Sequence, residues 1–168
     1  MQAKHKYNRG EYVKLHAAIE MEWISIISFH FTRVRIHEVT QLEKLLESLG
    51  ELGNVYADSG YLSLNNCWVI KEKGGTLYIR LKKTTTGGRN NGSAFTEMIK
   101  RYKENKEDWM KNYHQRSNIE TVFSSLKRKL GGYVTSIKRG IQHVEIALKI
   151  IVYNLIILAR KIVEEEYF

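Results

Sequence analysis

Proline is absent from this chain of 168 residues, cysteine occurs once and aspartate only twice, as Asp58 and Asp108. One cysteine excludes an internal disulfide framework, and the place of Cys67 in a helical apolar-polar segment predicts a buried, inert thiol. With no proline, against a usual share of about 5%, the breaks between elements fall on glycine. No apolar run opens the chain, since MQAKHKYNRG lacks the core of a secretory signal. Long hydrophobic runs are missing as well. The richest, IALKIIVYNLIILARKIV from Ile146 to Val163, is interrupted by Lys149, Asn154 and Arg160, which predicts a buried core helix and no membrane partner. These absences point to a cytoplasmic protein.

What is present is positive charge. A net charge of +9 and a pI near 9.6 set a field that favours nucleic acid or an anionic surface as partner. A hydrophobic share of 43% is that of a globular chain, and the length suits one domain over residues 1–168 with its core at about 11–160.

Alternation places Val13, Leu15, Ala17 and Ile19 on one face and Lys14 and His16 on the other. With the β-branched and aromatic stretch Trp23 to Thr32, this predicts an antiparallel hairpin turning at Glu20 to Glu22. Val39 to Leu49 repeats at helical spacing before Gly50. LGNVYADSGY reads as a strand stopping at Asp58, Leu62 to Lys73 as a helix closed by Gly74 and Gly75, and TLYIRLKK as another strand. TTTGGRNNGS is a polar loop. Helices are expected over Ala94 to Asn105, Trp109 to Leu130 and Ile141 to Glu165, broken at Gly131, Gly132 and Gly140. The order predicts an α/β architecture, a mixed sheet covered by helices.

Within YHQRSNIETVFSSLKRKL, offsets of three, seven and fourteen from Tyr113 fall at about −60°, −20° and −40° on a helix at 100° per residue. Tyr113, Arg116, Glu120 and Lys127 then form one stripe. Ile119, Val122, Phe123, Leu126 and Leu130 cluster roughly 90° away and make the core face. Arg128 and Lys129 extend the basic stripe as candidate phosphate contacts. Trp109 suits either base stacking or hydrophobic anchoring, the latter being the commoner use. His16, His30 and His37 lack the spacing of a zinc site.

Asp58 ends a predicted strand beside a glycine turn, where open α/β sheets expose ligand residues; a turn-capping aspartate is the plainer alternative. Were Glu120 to face it, two carboxylates in a basic surrounding would suit Mg²⁺, or Mn²⁺ in its place, and phosphoryl transfer, with Arg116 and Lys127 on nearby phosphates.

LGNVYADSGY followed by Y-x2-R-x3-E-x6-K resembles the catalytic region of DDE transposases of insertion sequences, most of all the insertion sequence 4 and 5 groupings. YVKLHAAIE, RIHEVTQLEKLL and KIIVYNLIILAR also resemble segments of those domains, so the likeness covers roughly Glu11 to Arg160. The resemblance implies a ribonuclease H-like fold in which three carboxylates bind two Mg²⁺ and cut, then join, double-stranded DNA at transposon ends. Asp58 would be the second acid and Glu120 the third; Tyr113 would contact the transposon end, and Arg116 and Lys127 would grip phosphates.

One departure stands out. The family's first aspartate lies on the strand before YVKLHAAIE, and no aspartate stands upstream of Asp58 here. The expectation is a truncated or split transposase lacking that acid and its central strand; substitution by Glu11, Glu20 or Glu22 is the alternative. Loss of a central strand would leave open edges, and the expectation is a chain that is either marginally stable or self-associating into homo-oligomers. Two readings follow: a metal-dependent enzyme of DNA cleavage and strand transfer, or a remnant that only binds DNA.

Overall fold

The computed structural model describes residues 2–3, 13–82, 85 and 92–167. The chain gathers into two compact units, Met1–Ile36 with Asn118–Phe168, and His37–Ser117.

The first unit contains β1 (Gln2–Ala3), β2 (Lys14–Ile19), β3 (Ile26–Thr32), most of α5 (Ser117–Leu130), β6 (Tyr133–Val134) and α6 (Arg139–Tyr167). Strands β2 and β3 form the expected antiparallel hairpin, with Lys14 opposite Thr32 and a register shift at Ala18 and Ile19. The turn is longer than expected. Glu20 folds its carboxylate back to accept from the N–H groups of Glu22 and Trp23, so Trp23 to Ser25 leave the strand. Ile24 sits at φ 56, a left-handed conformation that branched side chains seldom adopt. The Tyr153 hydroxyl donates to its carbonyl at 3.2 Å. Asn154 completes the clamp, accepting from the Ile26 N–H at 3.0 Å and donating to the Ile26 carbonyl at 2.7 Å. Around these contacts Val13, Ile26, Val122, Leu126, Val134, Ile146, Ile150 and Tyr153 form the core.

His16 lies on the hairpin face opposite Leu15 and is a satisfied histidine: it is 2% exposed, stacked on His30 with ring centroids 5.0 Å apart and bonded to Thr32 Oγ1 at 2.9 Å. The pairing satisfies a polar ring that burial would otherwise penalise.

The second unit runs α1 (Leu42–Leu46), β4 (Asn54–Ala57), α2 (Leu64–Glu72), β5 (Thr76–Ile79), α3 (Ser93–Glu104) and α4 (Lys106–Tyr113). β4 and β5 pair in parallel, joined by α2 as crossover, and α2, α3 and α4 pack on one another or on β5. The core holds Leu42, Leu46, Cys67, Ile70, Leu77, Ile79, Phe95, Met98, Ile99 and Trp109. Cys67 is 4% exposed, and burial pushes its thiol up to about 11, as expected of an inert cysteine. Most of the expected polar loop over 84–93 lies outside the described residues.

Both strand polarities are present, as a mixed α/β chain requires, but not in one sheet. Among the described residues the strands form three separate two-stranded sheets, β1 with β6, β2 with β3 and β4 with β5. Strands of four residues in one unit and a hairpin in the other each close their own ladder. No helix of the described residues is long and apolar enough to cross a membrane; the expected core helix around Ile146 buries Ile146, Ile150 and Tyr153.

Candidate active site and DNA interface

β4 ends where its sequence turns polar. Oδ1 of Asp58 accepts from the Ser59 N–H at 2.6 Å and the Ser59 hydroxyl at 3.3 Å, which opens a 3₁₀ turn over Ser59–Tyr61. Asp58 is exposed at the carboxyl end of a parallel strand, so the turn-capping role and the ligand-bearing position coincide in one residue.

The turn is held from below. Asn66, 2% exposed on α2, donates its amide hydrogens to the carbonyls of Tyr61 at 2.6 Å and Val39 at 2.9 Å. α2 is fixed in turn by Ser63, whose hydroxyl accepts from the Asn66 N–H at 3.0 Å. Burial pushes the Tyr61 phenol up to about 12, with the negative charges of Glu38 and Asp58 adding to it. Glu38 stands beside the same turn, since a Cβ on Gly60 would lie 3.6 Å from its own Cβ. Neither Asn66 nor Glu38 figured among the sequence candidates. An amide in an otherwise apolar helical stretch was the signal for the first, and nothing in the sequence marked the second.

The expected helix from Trp109 to Leu130 is two helices with a 3₁₀ turn, His114–Arg116, between them. The Ser117 hydroxyl donates to the His114 carbonyl at 2.9 Å and competes with the helical ladder there. Tyr113 thus ends α4, Arg116 lies in the turn, and Glu120 and Lys127 stand on α5. Glu120 and Lys127, seven residues apart on α5, keep their common arc and are both exposed.

Trp109 is an anchor. It is 2% exposed, its indole N–H donates to the Ile79 carbonyl at 3.0 Å, and it packs on Tyr78 and Tyr102. α4, seated in this way and capped by Asn105, carries Tyr113 at its last residue, 8% exposed. The Arg116 guanidinium lies 5.7 Å from the centroid of the Tyr113 ring, within cation–π range. The turn bearing Arg116 packs against β4, the strand that ends at Asp58. The second unit thus brings Asp58, Tyr113 and Arg116 onto one small scaffold.

In the first unit, α5 is docked by Val122 and Leu126, both fully buried, while Glu120, Lys127 and Arg128 are exposed and Lys129 half-buried. The connection after α5 is clamped by Glu145, which accepts from the Thr135 N–H, the Ser136 N–H and the Ser136 hydroxyl at 2.8–3.0 Å and meets Lys149 at 3.4 Å. Each unit holds one expected acid and part of the expected cation set.

These acids and cations can be placed against known proteins. The sequence matches the family described as transposase DDE domain over residues 1–155. The chain belongs to that family. No curated protein and no solved structure matches it. A transposase domain acts on DNA, and the family's chemistry uses a divalent metal. Asp58 and Glu120 are hard oxygen donors of the kind such a cation takes. The described residues contain no group of three histidine, cysteine, aspartate or glutamate side chains placed to hold a metal ion.

Proposed function

We propose that this chain is the catalytic segment of an insertion-sequence transposase of the insertion sequence 4/5 grouping with ribonuclease H-like ancestry, which cleaves DNA at transposon ends and transfers the strand. Asp58 and Glu120 are the acids that would hold Mg²⁺ or Mn²⁺, whose bound form stabilises charge on a phosphoryl group in flight. Arg116 grips a phosphate of the transposon end, and Tyr113 acts at the same place, its ring supporting that guanidinium. Lys127, Arg128 and Lys129 hold further phosphates along α5, an electrostatic contribution that weakens as salt rises. The observation that carries this reading is the packing of the Arg116 turn on the strand ending at Asp58, which sets a phosphate-binding cation on the scaffold of an exposed carboxylate.

A second reading has its own support. The net charge of +9 and the exposed cations Lys127 and Arg128 suit a chain that binds DNA without cutting it. Binding and cutting of one labelled duplex carrying the element's terminal repeat separate the two. On the enzyme reading, Asp58→Ala and Glu120→Ala abolish cutting and leave binding within about twofold, while Arg116→Ala and Lys127→Ala weaken both. A wild-type chain that binds through Arg116 and Lys127 but cuts nothing with Mn²⁺ present establishes the binding-only reading.

A further inference from the structure

The second unit holds a cavity that none of the roles above uses. About 230 Å³ of space lies between α2, α3 and the start of β5. Its floor is apolar: Cys67, Leu77 and Met98 are buried, Ala94 is half-buried, and the Cys67 and Met98 sulfurs meet at 3.8 Å. A methionine there adapts its shape to whatever packs on it. The rim is charged. Lys71 Nζ donates to Glu97 Oε2 at 2.6 Å, and the Arg101 guanidinium donates to Glu97 Oε1 at 2.8 Å and to Thr76 Oγ1 at 3.1 Å. The bond from Lys71, more than any other contact, holds the Glu97 carboxyl below its ordinary range, so two cations stand against one anion. Because β4 and β5 run parallel, Thr76 at the start of β5 lies at the opposite end of the pair from Asp58. The cavity is therefore separate from the candidate catalytic end.

We infer that this cavity binds a small monocarboxylate with an apolar body, the body lying on Leu77 and Met98 and the carboxylate held by Lys71 and Arg101. Size sets the scale. An apolar cavity of about 150 Å³ takes a benzene ring, so the volume here suits a ring or short chain of about ten non-hydrogen atoms. Charge sets the head group. The rim has one positive charge beyond what Glu97 neutralises, which a single carboxylate matches; a phosphate dianion would overshoot it and be repelled by Glu97. Donors are there to receive it. Among the described residues Lys71 spends one of its three N–H donors, and Arg101 two of its five, on Glu97 and Thr76. The planar fork of a guanidinium fits the two oxygens of a carboxylate. Ion pairs that did no more than tie α2 to α3 would need no apolar hollow beneath them.

The experiment uses the full chain, labelled at its methionine methyl groups for NMR, with benzoate as the probe. The Met98 signal is identified by its loss in Met98→Leu. It is expected to shift saturably with a dissociation constant of about 1 mM, the range open to so small a ligand, while Met21 in the hairpin turn stays in place. Benzyl alcohol, the same ring without the charge, is expected to bind at least tenfold more weakly, and so is benzoate to a chain carrying Lys71→Gln and Arg101→Gln. Glu97→Gln is expected to bind benzoate severalfold more tightly, because it removes the competing charge while its amide oxygen still accepts from both cations. A role confined to tying α2 to α3 gives no such rise. Should the double variant lose its circular dichroism, Glu97→Gln and benzyl alcohol decide the matter. No saturable Met98 shift up to about 50 mM benzoate, equal affinity for benzyl alcohol, or unchanged or weaker binding in Glu97→Gln overturns the proposal. None of these outcomes depends on whether the chain cuts DNA.

Discussion

Replacing Glu145 with glutamine should destabilise the chain by an amount that depends on pH in a defined way. Burial alone would raise the carboxyl, but the Ser136 hydroxyl, the N–H groups of Thr135 and Ser136 and the Lys149 ammonium hold it at about 2, below the ordinary 4.5. At 1.36 kcal/mol for each pKa unit this corresponds to about 3 kcal/mol, and screening at a side chain 19% exposed leaves about 2 kcal/mol. The folded pKa is depressed, so the unfolded chain takes up the proton first as pH falls. The contribution is therefore complete above the unfolded value of 4.5, declines below it and is gone near 2. Urea unfolding of wild type and Glu145→Gln, followed by circular dichroism from pH 2.5 to 7, reads it directly. The expected difference is about 2 kcal/mol at pH 7, equivalent to roughly 4–8 °C in Tm for a chain of this size. The gap should narrow steadily below pH 4.5. A difference under 0.5 kcal/mol at pH 7, or one that stays constant with pH, refutes the assignment of Glu145 as the charged clamp after α5.

Asn154→Ala removes both bonds to the Ile26 peptide and leaves that buried pair of groups without their amide partner. The expected loss is about 2–4 kcal/mol in denaturant unfolding, against a few tenths for Glu22→Ala in the exposed turn. Cys67 should resist iodoacetamide at pH 8 in the native chain and react at once in denaturant, because its thiol stays protonated and covered. Lys127→Ala should lower the salt slope of DNA binding by about 0.9 and leave any sequence preference unchanged, as a lone phosphate contact does.

Local patterning made much of the fold legible. The hairpin, the strand stopping at Asp58, the crossover helix capped by Ser63 and the long last helix all follow from periodicity, capping side chains and glycine breaks. The failures have particular causes. The Glu20 carboxylate lengthens the hairpin turn through bonds to backbone that no periodicity shows. The 3₁₀ turn at His114–Arg116, where the Ser117 hydroxyl donates to the His114 carbonyl, divides a helix whose apolar spacing runs on undisturbed. His16, by contrast, is the satisfied histidine expected on that side of the alternation, held by a stacked His30 and the Thr32 hydroxyl. At the site, Asp58 and the Tyr113–Arg116 pair were visible as residue types at set spacings. Asn66 and Glu38 were not, since their roles depend on contacts between segments distant in sequence.

The most direct measurement of the central claim is Mn²⁺-dependent nicking of a labelled terminal-repeat duplex by wild type beside the near-isosteric Asp58→Asn and Glu120→Gln chains. If the two carboxylates serve DNA chemistry, wild type nicks, both variants fall by at least about a hundredfold, and all three bind the duplex alike. Nicking that survives in either variant contradicts the account.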